Sequence, residues 1–426
     1  MWFWICLAVF VILLLLGVPI VISLGVPCGI WFVFSGTTPM MMFSQKMFTQ
    51  MDSFSMLAIP LFMLAGEIME KTNITRSLVD FANSLVGWIR GGLAQSTELA
   101  GMLLAGISGS SNADTSALGV LLYRPLRDSG YDEGFANAII ISSGSIGPII
   151  PPSICMIVYA NAAGLNIGKL FMGGVIPGVL MGVGYMIVCY FYAKKHNVPR
   201  VPFLGFKNII ISFVKAIWAL LMPLIIIGGV LSGVVTVTES GVLAVVYGIL
   251  YGFITRKLDL KKLIECIRNA ARSTVAPVSL ICVSSAFSYL LAREGIITSI
   301  ANFVGTNIHS QIGFMLFIAL ICILSGCFVE GTAVMLLLTP ILLPVALKMG
   351  IDPTHFSIAF ILSLTTGGMS PPVGGQLFVM SSISKTPITK IAKPILNFLA
   401  VYLIVILAVI FIPGLATWVP NVFYGR

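Results

Sequence analysis

The sequence predicts an all-α polytopic membrane protein, and three observations predict it: a composition poor in charge, long uncharged runs, and an internal repeat whose copies interrupt their own helices. Of the 426 residues, 58% are hydrophobic and 9% charged, and the mean hydropathy is +1.05. A soluble domain carries about 25% charged residues, so this chain lacks the polar side chains to cover a globular surface. The runs 1–45, 134–168, 170–193, 216–238, 273–292, 295–329 and 394–425 contain no Asp, Glu, Lys or Arg. A helix crosses the bilayer with about 20 apolar residues, so several of these runs suffice for one crossing or two. Alternating strand-length segments are absent, which leaves helices as the spanning structure.

Other classes fit poorly. Three histidines and eight scattered cysteines without a CxxC offer no zinc, haem or iron–sulfur spacing. Cys322 and Cys327 lie in apolar sequence and read as buried thiols. The net charge of +9 sits in short breaks between apolar segments, where membrane orientation explains it better than nucleic acid does. The first thirty residues lack a basic n-region and a small-residue cleavage site, and are expected to form a retained helix.

Hydropathy places coarse helical segments at 2–24, 26–45, 54–69, 93–107, 135–146, 153–168, 170–193, 216–234, 239–255, 276–292, 310–325, 356–366, 374–384 and 395–419. Two basic loops set orientation. Residues 194–215 hold Lys194, Lys195, Arg200, Lys207 and Lys215 without an acid, and 256–272 hold six basic residues against Asp259 and Glu265. Both are expected on the cytoplasmic side, so 216–255 must cross out and back, turning near Gly233–Ser240.

Shifting the chain by 220 positions lays 106–152 on 326–372 without a gap. Matched pairs include Gly106/Gly326, Ala113/Ala333, Leu118/Leu338, Gly130/Gly350, Asp132/Asp352, Ser143/Ser363, Gly147/Gly367, Pro151/Pro371 and Pro152/Pro372. Each copy runs through a short apolar segment, a small polar cluster, a second apolar segment, a GxD turn, and a helix broken before Pro-Pro. The clusters are GISGSSNADTSALG (106–119) and SGCFVEGTAVM (325–335); the breaks are SSGSIGPIIPPS (142–153) and SLTTGGMSPPVGG (363–375).

Pro removes a backbone donor and disfavours helix at the preceding residue. An interrupted helix at membrane depth leaves peptide groups unpaired, at several kcal/mol each in hydrocarbon, unless the backbone is buried in protein or lines a wet cavity. Freed carbonyls suit an alkali cation, and half-helix N-termini suit an anion. Small residues also let kinked helices pack closely. Two interruptions at matching positions nevertheless point to the binding site of a secondary transporter.

Ionisable residues within apolar sequence are costly and therefore candidates for function. Glu330 stands in the polar cluster of copy two, with no other charge from 295 to 347, at the position of Ser110 in copy one. It could accept from a substrate hydroxyl, carry a proton or ligate a cation. Asp114 either caps the second arm of its hairpin or acts in the site. Glu67, Glu98 and Glu239 lie at segment ends and read as interfacial. Arg124, Arg127, Asp128, Asp132 and Glu133 read as a solvated turn.

The segments LAIPLFMLAGEIME (57–70), GISGSSNADTSALG, GSIGPIIPPSICMIVYANAAG (144–164), GGVLSGVVTVTESGVLAVVYG (228–248) and GTAVMLLLTPILLPVALKMGID (331–352), followed by MSPPVGG, resemble the large membrane subunit of tripartite ATP-independent periplasmic (TRAP) transporters. The similarity covers nearly the whole chain. It implies two inverted repeats, each with a re-entrant helical hairpin and a broken helix, moving as an elevator. It also implies sodium-driven import of a small organic anion (a carboxylate, sugar acid or sulfonate) across the bacterial inner membrane. The implied partners are a small four-helix membrane subunit, expected as a separate chain, and a periplasmic substrate-binding protein.

The resemblance divides the chain into N-terminal scaffold helices (1–92), hairpin one with its broken helix (93–168), central scaffold helices leading into repeat two (169–309), hairpin two with its broken helix (310–388) and a C-terminal helix (389–426). Hairpin one would be 93–122 with its tip at Ser108–Asn112, and hairpin two 310–346 with its tip at Gly326–Thr332. Two Na+ sites follow by the same resemblance. One joins Ser108, Ser111 and Asn112 to carbonyls at Gly147, Ile150 and Pro152; the other joins Gly326 to Ser363, Thr366 and Met369. The substrate would touch Ser110, Ser153 and Glu330. Many family members carry Asp where this chain has Glu330.

The alternative is a proton-coupled exporter or exchanger of organic anions that uses Glu330. An enzyme is not expected, because neither polar cluster contains a histidine and a Ser110–Asp114 pair lacks a suitable base. A channel is not expected either, since filter sequence and charge rings are absent.

Overall fold

The computed structural model describes residues 2–36, 38–72, 74–200, 202–203, 205–296, 298–300, 302, 310–327 and 331–425. Every regular element among them is helical. Among the described residues, six helices are long and apolar enough to cross a membrane: Ile167–Lys195, Phe206–Leu231, Val237–Ile254, Leu260–Arg293, Gly331–Lys348 and Ile388–Phe411. Met41–Met51 and Phe54–Lys71 together make a further apolar path, bent by 58°.

Several expected segments divide where backbone chemistry requires it. The segment expected at 2–24 is two helices, Trp2–Leu15 and Ile20–Phe34, parted at Gly17, whose φ is +74°, and Pro19. That expected at 26–45 stops at Phe34, and a new helix starts at Met41 beyond Pro39. The C-terminal segment breaks at Pro413 into Ile388–Phe411 and Gly414–Tyr424.

Other helices extend further than hydropathy indicates. Residues 260–272, expected in a loop, form the first turns of Leu260–Arg293, where Asp259 Oδ1 accepts from the Lys262 amide at 2.7 Å. Helix Phe206–Leu231 likewise begins ahead of residue 216. Charged side chains lower the hydropathy of such turns without weakening the helix, because they project outward. Ile74–Val86, which hydropathy does not mark, is a helix for the same reason, with Arg76 and Asp80 exposed; Ser111–Asp128 goes unmarked because it carries polar residues such as Asp114 and Thr115 that are buried against other helices. The turn expected near Gly233–Ser240 is present: Gly233 has φ +67°, and Thr236 and Glu239 form a reciprocal capping box at the start of Val237–Ile254.

Both repeats fold alike. Hairpin one is Gly92–Ser108 and Ser111–Asp128, and hairpin two is Gln311–Gly326 and Gly331–Lys348. The GxD turn then has the same physics twice. Gly130 and Gly350 take φ of +92° and +76°, where a side chain would be strained. Asp132 and Asp352 cap the next helices, accepting from the amides of Phe135 at 3.0 Å and His355 at 2.9 Å. Those helices, Glu133–Ser145 and Pro353–Thr365, both end in an irregular stretch carrying a cis Pro-Pro bond, and the chain resumes as Ile154–Ala163 and Gly375–Ser384.

The first half of each broken helix packs on its own hairpin, and the second half packs on the hairpin of the other repeat. In repeat one, Ser143 donates to the Thr97 carbonyl at 2.7 Å and Ser142 to Glu98 Oε1 at 2.7 Å. From repeat two, Gln376 donates to Thr115 Oγ1 at 3.1 Å across to hairpin one. In return Cys155 of Ile154–Ala163 lies 3.7 Å from Met335 of hairpin two. One buried apolar cluster runs through all of these elements, and a smaller one around Trp31 joins Trp2–Phe34 to the end of Leu260–Arg293.

Candidate functional site

Hairpin one turns at Gly109, whose φ is +61°, and its tip sits on the first helix break. A Cβ on Gly109 would lie 2.5 Å from the Pro152 carbonyl oxygen and 3.0 Å from the Ile154 nitrogen. One on Gly147 would lie 2.6 Å from Asp114 Oδ2 and 3.2 Å from the Ser111 nitrogen. Only glycine admits this approach of backbone to backbone.

Of the first expected sodium set, the fold therefore brings Ser111, Gly147 and Pro152 to one junction. Ser108 stands beside them, accepting from the Ser110 amide at 3.1 Å and donating to Asp114 Oδ1 at 2.5 Å. Asn112 points toward Gly375 of the other repeat, 3.4 Å from where its Cβ would be. The Ile150 side chain packs on Gly178, which leaves only its backbone for a ligand.

Asp114 was left between two roles by the sequence, and the fold brings it into this junction. It is 1% exposed, and its Oδ2 has no hydrogen-bond partner. The N-cap Ser110 makes no side-chain cap bond. Asp114 instead braces the tip through Ser108. Its position one turn into the second arm was visible in the sequence; its approach to Gly147 was not.

In repeat two a Cβ on Gly326 would lie 2.8 Å from the Leu364 carbonyl oxygen and 3.3 Å from Gly367 Cα. The turn Thr366–Met369 abuts the end of the hairpin's first arm there. The Ser363 and Thr366 hydroxyls donate to their own helix, to Ala359 and Leu362 carbonyls at 2.7 and 2.8 Å. Met369 is buried, with its sulfur 3.9 Å from the Tyr185 hydroxyl, so this side of the turn offers a cation backbone oxygens and the lone pairs of the Ser363 and Thr366 hydroxyls. Residues 328–330, and hence Glu330, lie outside the described residues.

Between the two tips lies a cavity of about 470 Å³. Helix N-termini from both repeats line it, Ser111 and Asn112 with Ile154 and Cys155 from repeat one and Gly375 from repeat two; Gly331 and Thr332, at the start of the described part of hairpin two's second arm, line it too. No lysine or arginine is among its described lining residues. Ser110 reaches it, but Ser153 does not: its hydroxyl is buried, accepting from the Met156 amide at 3.1 Å and donating to the Pro148 carbonyl at 2.5 Å.

Glu98, read as interfacial, is instead fully buried between Ser142 and Cys189, with Oε2 lacking a partner. Its helix packs between Glu133–Ser145 and Ile167–Lys195, which together bury the carboxyl, and hydropathy cannot register such contacts. Asp132 is not merely solvated, since it caps a helix and also accepts from the Tyr192 hydroxyl.

Paired re-entrant hairpins, two broken helices and a cavity between them define a polytopic membrane transporter. The YdaH transporter of Alcanivorax borkumensis has a similar fold, with a TM-score of 0.62 over 85% of this chain and 86% of that one at 13% identity. The family profile described as "Tripartite ATP-independent periplasmic transporter, DctM component" matches residues 7–415, and the chain belongs to that family. It is a transporter permease and not an enzyme.

Relatives include the C4-dicarboxylate TRAP transporter large permease protein DctM of Pseudomonas aeruginosa, 36% identical over 88% of each chain. The 2,3-diketo-L-gulonate TRAP transporter large permease protein YiaN of Escherichia coli is 35% identical over 87% of this chain and 88% of that one. The isethionate TRAP transporter permease protein DctMQ of Oleidesulfovibrio alaskensis is 36% identical over 95% of this chain, which spans 64% of that protein's length.

Proposed function

We propose that this chain is the transport subunit of a sodium-driven importer, carrying a small organic anion (a carboxylate, sugar acid or sulfonate) across the inner membrane. One observation carries the reading: helix N-termini from both repeats converge on a cavity with no described cationic side chain. A helix N-terminus presents free amides and about half a unit of positive charge, so an anion can be held there without lysine or arginine. The names of the relatives, which refer to a dicarboxylate, a sugar acid and a sulfonate, support that class.

Sodium takes the carbonyl-rich side of the same junctions. Site one is Ser108, Ser111, Asn112, Gly147, Ile150 and Pro152, with Asp114 supplying charge; site two is Gly326, Ser363, Thr366 and Met369. Each ion joins a hairpin tip to a helix break, so binding it orders the tip that the anion needs. Affinities for the two then rise together, and linkage makes the effect reciprocal. The anion touches Ser110 and the tip amides, and Glu330 from the second tip. The hairpins and broken helices, which interlock across the repeats, move as one body against the scaffold.

A small four-helix membrane subunit, as a separate chain, and a periplasmic binding protein complete the system. The exposed apolar side of Phe206–Ile254, including Phe206, Ile210, Trp218 and Leu224, suits lipid or that subunit. The test is uptake of a labelled organic acid by the reconstituted three-component system. A sodium gradient should drive accumulation and a potassium gradient should not; equal rates in the two would overturn the reading.

A further inference from the structure

A second cavity, of about 130 Å³, lies beside the first. Glu67 and Glu70 of helix Ala58–Lys71 line it, together with Thr75, Ser273 and, from hairpin one, Ser108 and Asp114. No lysine or arginine is among its described lining residues. Lys71, next in sequence, is engaged by Glu265 at 2.9 Å, and Asn269 holds Glu67 Oε2 at 3.2 Å. Glu265 and Asn269 belong to the basic stretch that orientation assigns to the cytoplasmic side, so this cavity opens toward that side.

The two cavities share Ser110, Met63, Ile154 and Ser273 as a partition, yet their electrostatics are opposite. One presents helix N-termini and the other three carboxylates. Asp114 connects the acidic cavity to the first helix break. Its buried Oδ2, without a hydrogen-bond partner, faces Gly147, while its residue lines the vestibule. Its volume holds several waters, enough to rehydrate a small ion.

From this juxtaposition we propose that cation and anion leave for the cytoplasm by different routes. The monovalent cation passes from the junction at Gly147 past Asp114 into an acidic vestibule formed by Glu67 and Glu70, and the organic anion leaves through the larger cavity. Clustered carboxylates in a narrow cleft concentrate cations and repel anions, so the vestibule separates two ions that would otherwise leave as a pair. The inference rests on the sodium reading for the identity of the ion, but the charge selectivity of the vestibule can be measured without it.

The experiment uses the assembled complex in inside-out vesicles and two single substitutions. Thr75→Cys places a thiol in the vestibule, and Ala276→Cys places one in the larger cavity. Each is labelled from the cytoplasmic face with a cationic trimethylammonium methanethiosulfonate and with its anionic sulfonate counterpart, and the rate of the parent protein is subtracted. The cationic-to-anionic rate ratio should be at least about ten-fold higher at Thr75→Cys than at Ala276→Cys. Glu67→Gln with Glu70→Gln should lower the ratio at Thr75→Cys several-fold, and Glu67→Asp with Glu70→Asp should restore it.

Equal ratios at the two sites, a ratio at Thr75→Cys that the double glutamine substitution leaves unchanged, or no reaction at Thr75→Cys would each overturn the proposal. Uptake that runs equally in sodium and potassium while the labelling preference holds would sink the sodium reading and leave the vestibule standing. Sodium-dependent uptake without the preference would sink the vestibule alone.

Discussion

Gly326 and Gly367 meet backbone to backbone: a Cβ built on Gly367 would overlap the carbonyl group of Gly326. The last turn of the hairpin arm is thereby seated on the helix break of its own repeat, and any side chain at Gly367 must push the two apart.

Gly367→Ala should therefore abolish uptake and destabilise the protein by about 1–3 kcal/mol, the usual cost of overpacking. Gly228→Ala is the control. Nothing lies within 4 Å of a Cβ there, so it should leave uptake intact and be neutral or slightly stabilising. Reconstituted uptake and thermal unfolding in detergent check both.

Ser108 relays the Ser110 amide to Asp114. With Ser108→Ala the tip of hairpin one loses that brace, and the sodium concentration for half-maximal uptake should rise several-fold. Substrate affinity at fixed sodium should fall by a comparable factor, because the coupling is reciprocal. An unchanged sodium dependence would count against the first sodium site.

Asp352 caps the first half of the second broken helix, and Asp352→Ala should cost about 1 kcal/mol. Asp132→Ala should cost more, since Asp132 also accepts from the Tyr192 hydroxyl. Asparagine at either position keeps the cap and should recover most of the loss. Unfolding midpoints of the four variants decide it.

Glu133, partly exposed at the start of its helix, is held below the ordinary carboxylate range. Lys390 and Thr386 lower it, Lys390 donating to Oε2 at 3.1 Å and Thr386 to Oε1 at 3.0 Å. A carboxylate depressed on folding stabilises above its unfolded pKa, and that contribution disappears as pH falls through the folded value. The parent protein should lose more stability on acidification below the ordinary carboxylate range than Glu133→Gln does, as measured by unfolding midpoints across pH.

The sequence by itself determined the class, the repeat and the positions of its interruptions, because these depend on local chemistry. Low charge forces burial in lipid, Pro-Pro ends a helix wherever it stands, and Gly130 and Gly350 with Asp132 and Asp352 encode the same turn and cap twice. The hairpin arm Ser111–Asp128 escaped hydropathy because Asp114 and Thr115 in it face protein. The depth of Glu98 escaped for the same reason.

Contacts between residues far apart in the chain were decided by packing. Gly147 reaches Asp114, and Gln376 reaches Thr115, only because each broken helix is shared between two hairpins. Ser153 shows the limit in the other direction. Its residue type and place beside the break suit a ligand, but capping Ile154–Ala163 consumes its hydroxyl. Whether a polar group at a helix break serves the backbone or faces a cavity depends on the neighbours that arrive from elsewhere in the fold, and linear spacing carries no record of them.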